Sequence, residues 1–311
     1  MNFTSYLRAY LSKSSFLMGL ALRVYSKIHG YKFLTTSQVV VVQKDNCEIW
    51  LRKDNLVYVR DVIDEFDAYF GSVKSNSSKN GMYIADFSEV RIHDIVDFDL
   101  FPVKLPGLPE PMSTIRQYID LTKMSPGENV LDLGAYAGLT GISFQETVGA
   151  AGRVISVEAD PINFKCTQIN FDSYLALRGV SPRLVNAAIY STTGFINFSC
   201  EAGLGSAVVA VQTRAVKQIV KVPSLTLTEL VLRQKLSRID VIKADIEGAE
   251  FAAFSDSQFF ANHHPRIVFE PAMNHIPETK ISSLVALLES YGYKCRVLPQ
   301  PGSRLPLILA V

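Results

Sequence analysis

The sequence predicts an α/β protein built on a doubly wound, mainly parallel sheet, with a smaller α+β region ahead of it. Three observations point there. From Met112 onward, short apolar runs alternate with segments of helical periodicity, the pattern of parallel strands covered by helices on both faces. The first apolar run, VLDLGAYAG at 130–138, carries a carboxylate inside it and breaks at once into a glycine loop. The proline-rich stretch VKLPGLPEP at 103–111 separates this alternation from an N-terminal part of different texture. The expected division is therefore residues 1–110 and residues 111–311.

In the first region, residues 5–29 place apolar side chains at helical spacing. VVVVQ (39–43), EIWLR (48–52) and VYV (57–59) read as short strands around a KDN turn. In the second, MSTIRQYIDLTKM (112–124) predicts a helix, NVLDLGA (129–135) the first strand and LTGISFQETVG (139–149) the next helix. RVISVEAD (153–160) is a second strand, followed by a helix that Pro161 opens and Gly179 closes. RLVNAAIY (183–190) and FINFSC (195–200) read as strands, LTLTELVLRQKL (225–236) as a helix and IDVIKADI (239–246) as a strand. FAAFSDSQFF (251–260) predicts a helix, RIVFEPA (266–272) a strand, ISSLVALLESYGY (281–293) a helix, and YKCRVLP and LPLILAV close the chain.

A net charge of +1 on 311 residues argues against a general nucleic-acid or polyanion binder. Cys47, Cys166, Cys200 and Cys295 are widely spaced without a CxxC pair, which suits apolar filling in a reducing, cytoplasmic setting and suggests no metal site. Residues 1–44 carry Arg8, Lys13, Arg23, Lys27, Lys32 and Lys44 and no acid. That composition suits a helix docked on the domain, which is the expectation, and also a basic amphipathic helix in peripheral contact with an anionic membrane.

Ligands of open α/β sheets bind at the carboxyl ends of the strands. The first strand ends in Asp132-Leu-Gly134-Ala-Tyr-Ala-Gly138, and the second ends in Glu158, 26 residues past Asp132. An acid at that place accepts hydrogen bonds from ribose hydroxyls. A dinucleotide loop would read G-x-G-x-x-G, but Gly134 is followed by Ala135, Tyr136 and Ala137, and Asp132 beside a pyrophosphate would be repulsive. A ligand with a cationic amino-acid part and no phosphate fits better, and S-adenosyl-L-methionine is such a ligand.

VLDLGAYAGLTG, VISVEADPINFKCTQIN, NAAIYSTTG, VPSLTLTELV and IDVIKADIEGAE, in that order, resemble the FkbM-type family of S-adenosylmethionine-dependent methyltransferases. The resemblance spans about residues 110–310. It implies a Rossmann-like fold of the class I methyltransferase type. It also implies that Asp132, Gly134, Ala135 and Gly138 line the methionine part of the cofactor. Glu158 would hold the ribose beside Ala159 and Asp160, Asn186 and Ala187 would flank the adenine, and Asp245 would stand beside the methyl donor.

Candidates for a base are Asp245, Glu247, Glu270 and His275. Each also has a structural reading, as a helix cap, a helix-start acid, a salt-bridge partner or a solvated loop side chain. Glu250 is more readily a helix-start acid. His263 and His264 fall at the entry end of a strand, away from the site, and Lys243 inside a strand calls for a neighbouring acid. The leading expectation is O-methylation of a hydroxyl on a sugar, glycan or secondary metabolite. The alternatives are a degenerate methyltransferase-like binding protein and a nicotinamide-dependent oxidoreductase. The sequence leaves the oligomeric state open.

Overall fold

The computed structural model describes residues 15–77, 80–200, 205–210, 218–271, 278–300 and 306–311. The chain divides into two units, Met1–Met112 and Ser113–Val311.

In the N-terminal unit a helix, Ser15–Ile28, precedes a five-stranded sheet. Strands Val39–Lys44 and Cys47–Arg52 form a hairpin, with Asp45 at a φ of 52° in the two-residue turn. The strand expected at 57–59 is not one. Residues 53–58 form a 3-10 turn and Val59–Asp64 an α-helix. Val59, Val62 and Ile63 are buried, a spacing of three and four that a helix turns to one side. Burial at that period overrides the β-propensity of Val-Tyr-Val.

The C-terminal unit opens with helix α1 (Met112–Thr122). The alternation then runs β1 (Asn129–Leu133), α2 (Leu139–Val148), β2 (Arg153–Glu158), α3 (Pro161–Arg178) and β3 (Arg183–Asn186). Four strands follow, β4 (Ala188–Ile189), β5 (Gly194–Cys200), β6 (Ala207–Val208) and β7 (Gln218–Leu225). After them come α4 (Leu227–Gln234), β8 (Val241–Ala244), α5 (Glu250–Phe254), α6 (Ser257–Asn262) and β9 (Arg266–Phe269). Helix α7 (Glu278–Ser290), β10 (Cys295–Leu298) and β11 (Leu307–Ala310) complete the unit.

The main sheet has seven strands in the order β3-β2-β1-β8-β9-β11-β10. Those from β3 to β9 run parallel, and β11 enters antiparallel between β9 and β10. This is the Rossmann-like, mainly parallel α/β arrangement that the sequence predicts.

Side chains alternate between the faces of a strand. Leu131, Leu133, Ile155, Val157, Ile242 and Ala244 face one core, shared with α4 to α7 through Leu230, Phe254, Phe259 and Leu288. The alternate positions Ser156, Asp132 and Lys243 lie side by side in register on the other face, where Gly141 of α2 crosses close to the Ser156 and Asp132 side chains.

Two expected elements divide. RLVNAAIY splits at Ala187 into β3 of the main sheet and β4 of a second, four-stranded sheet ordered β4-β7-β5-β6. FAAFSDSQFF breaks into α5 and α6 because Asp256 caps α6, accepting from Phe259 N and from the Thr228 hydroxyl.

Candidate active site

The strand order reverses between β1 and β8, and their carboxyl ends frame the crevice where such sheets bind ligands. Gly134 leaves β1 at a φ of 80°, and a Cβ there would lie 1.9 Å from the main-chain oxygen of Asp245. The two strand ends can pass this closely only if that residue is glycine. Beside them opens a cavity of about 580 Å³, counting the space at its mouth. Gly134, Tyr136, Val157, Glu158, Ala159 and Asn163 line part of it, and Asp245, Ile246, Glu247 and Ala249 another part. Ala187, Ala188, Ile189, Phe198, Ser206 and Val208, from the β3–β4 crossing and the second sheet, supply the rest.

Glu158 ends β2 nearly buried. Its Oε2 accepts from Tyr136 N and its Oε1 from Asp160 N, both at 2.8 Å. Burial pushes the carboxyl up to about 8, against the pull of the two main-chain donors. Asp160 caps α3 with Oδ1 and accepts Ser206 Oγ at 2.7 Å with Oδ2. The glycine loop is held from α3: Thr167 Oγ1 donates to Tyr136 O at 2.6 Å and Asn170 Nδ2 to Ala137 O at 2.8 Å.

The turn after β8 is strained and clamped. Glu247 has a φ of 52° and Gly248 of 96°. The fully buried Glu250 accepts from Ile246 N and Gly248 N with Oε1, at 3.3 and 3.2 Å. Burial pushes its carboxyl up to about 7.

Of the residues expected at the cofactor, Gly134, Glu158, Ala159, Ala187 and Asp245 line the cavity. Asp132 does not. Alternation turns it beneath the sheet, where Ser156 Oγ donates to Oδ2 at 2.8 Å and Lys243 Nζ stands 3.5 Å from Oδ1. Its cation is therefore a lysine of this chain, and Lys243 finds the neighbouring acid that its place in a strand calls for. Lys243 Nζ also donates to Gly134 O at 2.8 Å and lies over the Tyr118 ring.

Ala135 is buried within the loop, its main-chain N–H donating to Val157 O. A Cβ on Gly138 would meet Phe171 and Thr167 of α3 at 2.7 and 2.8 Å, so this glycine lets the loop pack against the helix, and it lies outside the cavity lining. Asn186 is exposed, and its Nδ2 donates to Glu158 O, tying two strand ends together.

Among the base candidates, Asp245 and Glu247 line the cavity. Glu270 follows β9 and its N–H bonds Ala244 O, one strand further along and outside the lining. His275 lies outside the described residues. His263 and His264 line a separate groove with Asp240 and Arg266, at the entry ends of β8 and β9.

Sequence reasoning missed Asn163, Phe198, Ser206 and Val208 in the lining and Thr167 and Asn170 behind the loop. Asn163, Thr167 and Asn170 fall at helical spacing in α3 and are all buried. Polar residues on one helix face at that period were the available signal.

A family model, the Methyltransferase FkbM domain, matches residues 132–295. The chain belongs to the FkbM methyltransferase family. It is accordingly an S-adenosyl-L-methionine-dependent methyltransferase. No curated protein matches it significantly.

Solved structures similar to this FkbM-type chain include methyltransferase FkbM from Methylobacillus flagellatus KT, 15% identical over 65% of this chain and 48% of that one, TM-score 0.46. The chain thus spans about half the length of that protein. Precorrin-6y C5,15-methyltransferase from Geobacter metallireducens GS-15 is 13% identical over 70% of this chain and 96% of that one, TM-score 0.43. Aeropyrum pernix fibrillarin, solved with natively bound S-adenosyl-L-methionine, is 12% identical over 90% and 99%, TM-score 0.41.

The cavity of the FkbM-type chain fits this cofactor. Each oxygen of Glu158 accepts one main-chain bond, and a carboxylate offers about four acceptor sites, so two remain for a vicinal diol. Ala187, Ala188, Ile189, Phe198 and Val208 give apolar walls for a flat base. Glu158, Asp245 and Glu247 suit a cationic ligand and repel a phosphate. Family membership sets the nicotinamide alternative aside.

Proposed function

We propose that this FkbM-type methyltransferase acts on oxygen, transferring the methyl group to a hydroxyl of a small-molecule or glycan acceptor. The observation that carries the reading is the pair of carboxylates, Asp245 and Glu247, on the turn that lines the cavity after β8. The bound cofactor supplies an electrophilic methyl carbon. A hydroxyl becomes an adequate nucleophile only as its proton leaves, and a positioned carboxylate that accepts this proton contributes about 10²–10⁴-fold.

Glu247 is the stronger candidate for that role. It holds a left-handed backbone conformation, which costs on the order of 1–3 kcal/mol and persists where the surroundings fix it. Glu250 fixes it by gripping the N–H groups on either side, those of Ile246 and Gly248. Glu270, next to this turn on the adjoining strand, stays a secondary candidate.

The test is methyl transfer to hydroxyl and amine acceptors with wild type, Glu247→Gln and Asp245→Asn. Transfer to hydroxyls, with kcat reduced about 10²-fold or more in one variant, supports the reading. Transfer confined to amines, undiminished in both variants, contradicts it.

A further inference from the structure

Helix Ser15–Ile28 uses only part of its circumference to hold itself on the N-terminal unit. Leu22 and Ser26 are buried, Tyr25 donates to Asp64 Oδ1 at 2.5 Å, and the helix packs on strand Lys32–Thr35 and helix Val59–Asp64. Leu20, Val24 and Ile28, spaced by four, fall on another line of the helix and are 55%, 55% and 74% exposed. Arg23 and Lys27, also exposed, flank that line one residue away, and Lys32, at the start of the next strand, is exposed too. Residues 1–44 contain no Asp or Glu. Asp64, the acid that Tyr25 of this helix reaches, is also paired with Arg60.

We propose that this face is a peripheral docking surface for an anionic lipid bilayer: Leu20, Val24 and Ile28 enter the headgroup–acyl boundary while Arg23 and Lys27 meet the anionic headgroups. An apolar line flanked by cations is the arrangement that lies in a membrane interface. A second protein is a poorer occupant. The stripe runs about 12 Å along the helix at 1.5 Å per residue, and three aliphatic side chains fall well short of the roughly 800 Å² per partner of a standard protein interface. Among the described residues no helix is long and apolar enough to cross a bilayer, and the contact proposed is a peripheral one. It adds a location to the enzyme without touching the cavity, whose lining lies entirely between Gly134 and Ala249.

The experiment is co-sedimentation of the full chain with vesicles of phosphatidylcholine alone and of phosphatidylcholine with phosphatidylglycerol, at low and high salt. The proposal expects binding to the anionic vesicles only, weakened by salt. It expects a loss of roughly tenfold or more in Arg23→Glu with Lys27→Glu, since each basic residue near the surface contributes about fivefold. Val24→Glu with Ile28→Glu abolishes binding while leaving the circular dichroism spectrum and the thermal melt of the full chain unchanged, which shows that the variant is folded. Wild type that fails to sediment with anionic vesicles overturns the proposal without any variant. So does equal sedimentation of wild type and both double variants. Self-association without lipid that Val24→Glu with Ile28→Glu removes also overturns it, and assigns the stripe to contact between copies.

Discussion

At Glu158 a buried carboxyl is gripped by two main-chain N–H groups and pushed up to about 8. Its raised value has two consequences of opposite sense. In the cofactor-free protein the folded state holds this proton more tightly than the unfolded chain does. The stabilisation is therefore complete below the ordinary carboxylate range and is lost as pH rises through about 8. Thermal melts from pH 5 to pH 9 should show the melting temperature falling, with a shallower fall in Glu158→Gln. Ribose hydroxyls donate to the ionised form, so binding S-adenosyl-L-methionine expels the proton. Affinity should rise with pH up to about 8 and then level, and calorimetry in buffers of different ionisation enthalpy would detect the released proton. Lys243 and Asp132 form a buried charged pair. Lys243→Met leaves Asp132 an uncompensated buried charge and should cost about 3–5 kcal/mol, while adding Asp132→Leu should recover much of it; urea denaturation measures both. The importance of Asp132 was legible in the sequence, as a carboxylate inside an apolar run. Its partner was not, because the Asp132–Lys243 contact depends on the register of β1 against β8, and register is a property of the assembled sheet.

Among the elements, the loop between β1 and α2 and the turn after β8 are the two that make the site. Gly134 and Gly138 look alike in sequence and differ in what they meet. Gly134→Ala would drive a Cβ against the Asp245 main chain at the mouth of the cavity, so it should abolish cofactor binding as well as lower stability. Gly138→Ala meets the buried side chains of Thr167 and Phe171 at a positive φ. It should cost about 1–3 kcal/mol in overpacking and reduce cofactor affinity much less; melts and titrations on the two variants separate these outcomes. The alternation from β1 to α7 could be read from periodicity because strand and helix periods are local. The second sheet could not. Its strand β7 contains Pro223 and pairs with β5 in register through Phe195, so the neighbouring strand defines it more than its own pattern does. Phe198, Ser206 and Val208 came with that sheet and so escaped sequence reading. The turn at 57–59 failed for the opposite reason: its local strand preference was clear, and tertiary burial at helical spacing overruled it.

For the whole molecule, the division into Met1–Met112 and Ser113–Val311 places every residue lining the cavity in the second unit. A chain of residues 111–311 is therefore expected to bind S-adenosyl-L-methionine within about threefold of the full chain, a difference under 1 kcal/mol. The fold class was legible because a parallel sheet buries both faces and writes its strands as apolar runs. The acceptor was not legible, because no motif in the sequence encodes it. The most direct measurement is calorimetric titration of the full chain with S-adenosyl-L-methionine, for wild type and Glu158→Ala. Saturable binding to wild type, weakened by about 1–3 kcal/mol in Glu158→Ala through lost hydrogen bonds to a charged group, is the expected result. Folded wild type that does not bind, or Glu158→Ala that binds as tightly as wild type, would contradict a cofactor site built on Glu158.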